Sequence, residues 1–339
     1  MTSLRIADAD ISDCSEELTR EPSLIERDRQ LMPTLTQDHP PASLFVPDIH
    51  PNVIAVSTEV NEYFLQRWPF RNDAERAKFR AAGFSRMTCL YFPRALQDRI
   101  PFACRLVTLL FLVDDLLEEI SLQEGSEYNE RLIAISRGDI SPDRTVPVQA
   151  ITHEVWEDMR ACDKVLADDL LEHVSIFMRA QTEKARLTIC ELGKYLNYRE
   201  RDVGQGLLSA LLRFTMKLHL SDTERRQAAP IERNCAKHIA ILNDIYSWRK
   251  EQLASQNIHQ EGAAVCSAVQ VLSNEATLGF AAAQRVLWAM CREYELVYRQ
   301  LVQEATPGSS DSLHKYLRGL EYQMSGNERW SESTPRYHG

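Results

Sequence analysis

The sequence is poor in the two residue types that most often interrupt helices. Only 12 glycines and 14 prolines occur among its 339 residues, whereas leucine, alanine, glutamate and arginine are frequent. Glycine and proline are the least favourable residues in a helix interior. Their scarcity therefore favours helices over a turn-rich β architecture. Because 44% of the residues are apolar, the chain can also bury a substantial core. We therefore expect an all-α protein.

The cysteines and histidines follow none of the spacings that mark a disulfide framework or a zinc site. The eight cysteines are scattered without a CxxC pair, which is typical of reduced thiols in a cytoplasmic protein. The nine histidines show neither HxxxH nor HExxH spacing, so a zinc or haem protein is not indicated. We expect a cytoplasmic location.

Basic runs and long apolar runs are also missing. The formal net charge is −10, which argues against a nucleic-acid-binding surface. The longest apolar run, residues 106–113, is far shorter than the roughly 20 residues that a membrane-spanning helix needs. The beginning of the chain is acidic and polar, unlike a signal peptide. We expect no nucleic acid, no membrane insertion and a small-molecule partner; a homo-oligomer is left open.

The chain divides into a polar beginning and a long helical remainder. Residues 1–45 mix charged residues with serine, threonine and proline, which predicts a flexible segment. From about Tyr63 onward, apolar residues recur with helical periodicity, interrupted by short segments rich in proline, glycine or serine. No linker divides this remainder. Residues 46–339 are therefore predicted to form one helical bundle.

The pentapeptide DDLLE occurs twice, at residues 114–118 and 168–172. Two adjacent aspartates with a glutamate one helical turn later make a plausible edge for binding magnesium. A helix turns about 100° per residue, which places Asp114 and Glu118 on the same stripe as Phe111. An apolar floor thus leads to an acidic rim in the first copy. On its own, this pattern does not distinguish a metal site from an ordinary acidic helix end.

The second copy faces away from the apolar stripe of its helix. Leu170, Val174 and Phe177 cluster on one side, whereas Asp168 and Glu172 fall on the other. We therefore expect the carboxylates of this copy to form a solvated acidic surface and to bind no metal.

A second polar stripe, in the segment LNDIYSWRKE, is a candidate partner for the first copy. Asn243, Ser247 and Glu251 are spaced four residues apart and lie on one helix face. Their amide, hydroxyl and carboxylate oxygens are hard ligands that suit Mg²⁺. Lys250 returns to the same face, where its ammonium group could hold a phosphate oxygen. Two such rims facing each other would define the mouth of one cavity.

These motifs together resemble those of a known family. Residues 114–118 match the aspartate-rich motif of class I terpene synthases, and residues 243–251 match their (N/D)Dxx(S/T)xxxE motif. The pair Arg336 and Tyr337 is typical of the fungal enzymes. The sequence therefore resembles the fungal sesquiterpene cyclases over most of residues 60–337. The resemblance implies the class I terpenoid synthase fold, an α-helical bundle around a central apolar cavity.

The resemblance also implies a reaction and a set of site residues. The enzyme would ionise farnesyl diphosphate with three Mg²⁺ ions and cyclise it, via germacrene A, to a bicyclic eremophilane hydrocarbon. The implied metal ligands are Asp114, Asn243, Ser247 and Glu251. The implied diphosphate donors are Arg199, Lys250, Arg336 and Tyr337. The implied aromatic residues of the cavity are Tyr91, Phe111, Phe177 and Trp330.

The resemblance further implies that Arg199 is the sensor of the diphosphate, with Asp202 relaying its movement towards Gly204.

Some alternatives remain open at this point. The proton donor after the first cyclisation is either Tyr91 or the diphosphate. A chain-elongating prenyl diphosphate synthase would normally carry a second DDxxD motif where residues 243–251 stand. A different C15 product and a helical scaffold without activity are the other readings.

Overall fold

The computed structural model describes residues 40–258 and 260–338, so most of the predicted flexible segment, residues 1–39, lies outside the described residues. Within the described ranges all regular structure is helical. The α-helices are α1 (Val53–Arg67), α2 (Asp73–Ala82), α3 (Phe84–Tyr91), α4 (Ile100–Leu117), α5 (Leu122–Arg137), α6 (Pro147–Gln181), α7 (Leu192–Asp202), α8 (Gln205–Met216), α9 (Asp222–Asn257), α10 (Ala268–Glu275), α11 (Phe280–Ala305), α12 (Asp311–Ser333) and α13 (Pro335–His338). Two short 3₁₀ segments, Lys184–Leu187 and Glu261–Ala263, lie between α6 and α7 and between α9 and α10.

Helix α9 joins several parts of the bundle. It packs against α11 and α12, and it also contacts α7, α8, α10 and α13. Its start is fixed by a capping box, in which Ser221 and Glu224 each bind the backbone N–H of the other. Ile239 and Leu242 are buried in the middle of the helix. The polar residues that follow are therefore held on a rigid element.

Helix α4 is almost entirely apolar, and most of its side chains are buried. Pro101 fits in its first turn, where a backbone N–H has no partner within the helix. The helix packs against α1, α3 and α6. Asp114 and Asp115, in its last turn, are consequently held in place by the burial of the apolar turns before them.

Helix α6 contains a break that the periodicity of the sequence did not reveal. Asp163 has non-helical backbone angles, and its carboxylate accepts the N–H of Leu166 at 3.1 Å. The same carboxylate pairs with the buried Arg99 at 2.9 Å. Asp163 therefore acts as an N-cap for the second half of α6, the part that carries the second DDLLE copy and Phe177.

The helical region begins earlier than the sequence indicated, because α1 starts at Val53 and the prediction placed the start near Tyr63. Before it, the hydroxyl of Ser43 and the N–H of Leu44 donate hydrogen bonds to Glu295 in α11. The ring of Phe45 is buried against Tyr298. Residues 40–45 thus lie along α11. No helix in the described parts of the chain is long and apolar enough to cross a membrane.

Candidate functional site

The bundle encloses a cavity of about 230 Å³, bordered by helices α3, α4, α6, α7, α8, α9, α12 and α13. All twelve site residues that the sequence predicted contribute to its lining. These are Tyr91, Phe111, Asp114, Phe177, Arg199, Asn243, Ser247, Lys250, Glu251, Trp330, Arg336 and Tyr337. The structure therefore brings the predicted residues together, while the individual roles assigned to them remain predictions.

The inner part of the cavity is lined by aromatic and aliphatic side chains. The ring centroids of Phe111 and Trp330 are 5.9 Å apart, and Phe84 stacks on Phe111 with 4.5 Å between the ring centroids. The indole N–H of Trp330 donates to the carbonyl oxygen of Ala82 at 3.1 Å. The polar atom of this large ring is thus satisfied outside the cavity, which leaves an apolar surface for a hydrocarbon.

Tyr91 contributes a polar group to this apolar wall. Its hydroxyl donates to the side-chain oxygen of Asn327 at 2.7 Å, and Asn327 in turn donates to the carbonyl oxygen of Ile239 at 3.2 Å. Burial raises the pKa of Tyr91 well above its usual value. The phenol is therefore neutral and has a fixed orientation.

The acidic edge of the cavity mouth is formed by the first DDLLE copy. Carboxylate oxygens of Asp114, Asp115 and Glu118 lie within 4.8 Å of one another. Enclosure by the protein and the neighbouring Glu118 raise the pKa of Asp114 to about 6, although 42% of its side-chain surface is accessible. A cation placed here would relieve this repulsion, which is the behaviour expected of a metal-binding carboxylate cluster.

The opposite edge of the mouth is formed by α9. Ser247 donates a hydrogen bond to Glu251, and the amide N–H of Asn243 donates to the hydroxyl of Tyr337 at 2.7 Å. The amide oxygen of Asn243 accepts a hydrogen bond from Arg199 at 3.0 Å. Burial and the charge of Asp244 raise the pKa of Glu251 to about 7. These oxygens fit a divalent cation in type and in charge.

Two cationic side chains at the mouth, Arg336 and Lys250, are paired with acidic ones. Arg336 binds Asp115 with Nη–Oδ distances of 2.6 and 3.1 Å. Lys250 binds Glu118 at 2.6 Å. The mouth therefore carries positive and negative side chains next to each other, so that anionic and cationic ligands can be bound side by side.

Arg199 pairs with two carboxylates. It contacts Asp202 on its own helix and Asp244 on α9, the latter at 2.9 Å. Asp244 is fully buried and also accepts hydrogen bonds from the hydroxyl of Tyr195 and the backbone N–H of Ala268. This network connects Arg199 to the beginning of α10 and holds Asp244, the second residue of the α9 motif, away from the cavity.

The second DDLLE copy lies outside the cavity, as predicted. Asp168 pairs with Arg160 at 2.8 Å and also with Lys164, and 40% of its side chain is exposed. Glu172 is more exposed and pairs with Arg137. These carboxylates are neutralised by surface arginine and lysine residues, and they do not line the site.

Several parts of the lining were not predicted from the sequence, and four of them bear on the chemistry of the site. They are Gln181, Arg186, Asn327 and the segment 262–264. Gln181 donates to Asp114 at 2.9 Å from 67 positions further along the chain, so no local pattern could have revealed it. Gly262 lies so close to α4 that a Cβ atom there would be 1.9 Å from the carbonyl oxygen of Leu117. The glycine at position 262 was the one local signal in the sequence of a close approach between these segments.

Comparison with known proteins agrees with this geometry. Residues 105–295 match the family model described as terpene synthase family 2, C-terminal metal binding. The chain is 55% identical to aristolochene synthase of Aspergillus terreus, with 88% of this chain and 94% of that protein covered. It is 54% identical to (+)-aristolochene synthase of Penicillium expansum, covering 88% and 90%. The crystal structure of aristolochene synthase from Penicillium roqueforti superimposes with a TM-score of 0.77 at 52% identity, covering 87% of this chain and all of that one.

This chain belongs to the terpene synthase family. The predicted resemblance to the fungal sesquiterpene synthases and the all-α class I fold are confirmed. Terpene synthases are lyases that act on diphosphates, so the predicted enzyme class is confirmed as well. The metal-binding description of the family model and the acidic cluster of Asp114, Asp115 and Glu118 together support the binding of a divalent metal.

Proposed function

We propose that this protein is a sesquiterpene cyclase that converts farnesyl diphosphate into a bicyclic eremophilane hydrocarbon of the aristolochene type and releases diphosphate. The observation that carries the proposal is the arrangement of two oxygen-bearing helix edges at the mouth of one apolar cavity. The relatives that share more than half of the sequence and are named aristolochene synthases support the choice of product class.

The metal is proposed to be Mg²⁺, bound by Asp114 from α4 and by Asn243, Ser247 and Glu251 from α9. The family resemblance suggests three ions. When bound, they would act as Lewis acids that neutralise the charge on the departing diphosphate. The donor set is entirely oxygen, which suits Mg²⁺ better than a softer metal.

The cationic residues of the mouth are proposed to bind the diphosphate. Arg199, Lys250 and Arg336 can donate several charge-assisted hydrogen bonds, and Tyr337 adds a hydroxyl. Because these arginine and lysine residues are paired with carboxylates, diphosphate binding must rearrange some of these pairs. The same residues would close the mouth and keep water away from the reactive carbocation.

The aromatic residues are proposed to guide the carbocation once it forms. Each aromatic face stabilises a nearby cation by about 0.5–2 kcal/mol, which is small compared with the barrier to ionisation but sufficient to favour one conformer. Phe111, Phe177 and Trp330 line the cavity and would have this role. The hydroxyl of Tyr91 is less suited to donate a proton, since its raised pKa makes the phenolate costly. We therefore favour the retained diphosphate, which would first accept the proton that the monocyclic cation loses on forming germacrene A and then return it at another carbon.

The test is incubation of the purified protein with farnesyl diphosphate, with Mg²⁺ or with EDTA, followed by mass analysis of the volatile products. We expect one dominant bicyclic C15 hydrocarbon that disappears with EDTA. In a parallel incubation with added isopentenyl diphosphate, the five-carbon co-substrate that elongation requires, longer allylic diphosphates would indicate a chain-elongating enzyme. The absence of diphosphate release in both incubations would indicate a scaffold. We also propose that the protein acts in the cytoplasm, where the described cysteines, all free, would stay reduced.

A further inference from the structure

Four positively charged side chains line the cavity, and one of them has no ionic partner. Arg199, Lys250 and Arg336 each form ion pairs with carboxylates. Arg186 also lines the cavity, but it forms no ion pair within 4 Å among the residues that the structure describes. This difference separates Arg186 from the three cationic residues that the family motifs identify.

The position of Arg186 shows that its side chain turns inwards. It belongs to the 3₁₀ segment Lys184–Leu187, in which Lys184, Ala185 and Leu187 are exposed while Arg186 is half-buried. Its Nη1 donates to the carbonyl oxygen of Gln181 at 2.7 Å. Its Nε is buried and has no hydrogen-bond partner in the described ranges. The guanidinium is thus held at the cavity and is only partly satisfied there.

Arg186 and Asp114 are connected through a single residue. Gln181 accepts the hydrogen bond of Arg186 at its backbone oxygen, and its side-chain amide donates to Asp114 at 2.9 Å. Burial lowers the pKa of Arg186, but the charges of Asp202 and Asp114, among other groups, outweigh this effect and raise it. The negative charges of Asp114, at the acidic edge of the mouth, and of Asp202, which pairs with Arg199, therefore both act on Arg186.

Asp202 and Asp114 keep Arg186 charged from more than 4 Å away, but among the described residues no anion binds its largely desolvated guanidinium directly. Its neutralisation by a ligand would be correspondingly favourable. The ligand must be anionic, must enter the cavity mouth and must accept hydrogen bonds from a planar guanidinium, and a diphosphate meets these three requirements. The neighbouring carboxylates do not meet them, because Asp202 is already paired with Arg199 and Asp114 lies 3.9 Å from Arg336.

We propose that Arg186 is a further diphosphate-binding residue, which supplies donors from the segment between α6 and α7, on the side of the mouth where Gln181 contacts Asp114. The inference rests on the proposed function, since it identifies one more group that binds the leaving diphosphate. It places donors on the α6–α7 side as well as on α7, α9 and α13.

The test measures the binding of inorganic diphosphate in the presence of Mg²⁺ by isothermal titration calorimetry. The variants are Arg186→Gln, Arg186→Lys and the control Lys184→Gln, which removes an exposed charge from the same segment. We expect Arg186→Gln to bind about tenfold more weakly, because a charge-assisted hydrogen bond is lost. Arg186→Lys should recover part of the affinity, and Lys184→Gln should bind like the wild type.

Unfolding of each variant in urea shows whether Arg186 has only a structural role at the end of α6. If Arg186→Gln lowers the unfolding midpoint but binds diphosphate as tightly as the wild type, the inference is wrong. It is also wrong if Arg186→Lys binds no better than Arg186→Gln, because the charge would then not matter. The wild type distinguishes the role of Arg186 from the proposed function. If the wild type fails to bind diphosphate with Mg²⁺, the proposed function itself is wrong.

Discussion

Arg336 and Asp115 form a two-pronged ion pair that joins the last helix of the bundle to the end of α4. Both terminal nitrogens of the guanidinium donate to the carboxylate, at 2.6 and 3.1 Å, and the arginine side chain is only 11% exposed. The guanidinium also lies 5.5 Å from the ring centroids of Phe84 and Phe111. This pair therefore fastens α13 across the mouth of the cavity, beside the proposed metal edge.

Breaking this pair is expected to weaken closure of the mouth. In Asp115→Asn, Arg336 loses its two-pronged ion pair and keeps only the longer contact with Asp114 at 3.9 Å, so water should reach the carbocation more often. We predict a decrease in kcat/KM of about tenfold, as for the loss of one charge-assisted interaction, together with more C15 alcohols among the products. Gas chromatography with mass detection measures both hydrocarbon and alcohol. An unchanged share of alcohols would contradict a role of the pair in excluding water.

The α9 motif and the second DDLLE copy provide contrasting tests of the metal site. Asn243→Ala removes an oxygen from the proposed ligand set, and kcat/KM should fall by more than the roughly 10–100-fold seen for residues that only orient a ligand. Asp168→Ala removes an exposed carboxylate that is paired with Arg160, and activity should remain within about twofold. Both are measured with farnesyl diphosphate over a range of Mg²⁺ concentrations. A severe loss in Asp168→Ala would overturn the choice between the copies.

Phe177 tests the proposed guidance of the carbocation. Its ring lies against Gly204, where an added Cβ would be 3.2 Å from the ring edge. Phe177→Leu should change the ratio of bicyclic to earlier, monocyclic products by about two- to thirtyfold, the equivalent of one aromatic–cation contact. Phe214→Leu is the control, because Phe214 is fully buried and does not line the cavity. A similar change of product ratio in both variants would contradict a specific role of Phe177.

His50 makes stability depend on pH. Burial lowers its pKa below the usual 6.5, against the weaker opposing effect of its hydrogen bond to Ala95. The unfolded chain therefore takes up a proton at a higher pH than the folded protein does. The resulting contribution to the free energy of unfolding is fully present above pH 6.5 and decreases as the pH falls towards the lowered pKa.

Urea unfolding of the wild type and of His50→Gln, from about pH 5 to about pH 8, measures this contribution. The free energy of unfolding of the wild type should fall more steeply below pH 6.5 than that of the variant. Parallel curves would show that His50 has the same pKa in the folded and unfolded states.

The residues that helical counting placed correctly lie on helix segments without a break, and Asp168 and Phe177 both follow the break at Asp163. Helical geometry relates Phe111 to Asp114 within α4, and Asn243 to Glu251 within α9, without any knowledge of the rest of the fold. The outward position of Asp168 followed from the same counting. The resemblance to the family then related the two helices to each other, which periodicity alone does not do.

The features that the sequence did not reveal depend on contacts between distant segments. The break at Asp163 is stabilised by Arg99, which lies 64 positions away. Gln181 meets Asp114, and Gly262 meets Leu117, only because the bundle brings these segments together. Arg186 carries no pattern that distinguishes it from an exposed arginine; only its position in the fold shows that it faces the cavity.

The most direct measurement is a crystal structure of the protein with Mn²⁺ and inorganic diphosphate, in which anomalous scattering locates the metal ions. The account predicts metal peaks between Asp114 on α4 and the Asn243, Ser247 and Glu251 side chains on α9, with the diphosphate contacted by Arg199, Lys250, Arg336 and Tyr337. Metal peaks elsewhere, for example at Asp168, or a diphosphate bound away from this mouth, would contradict it.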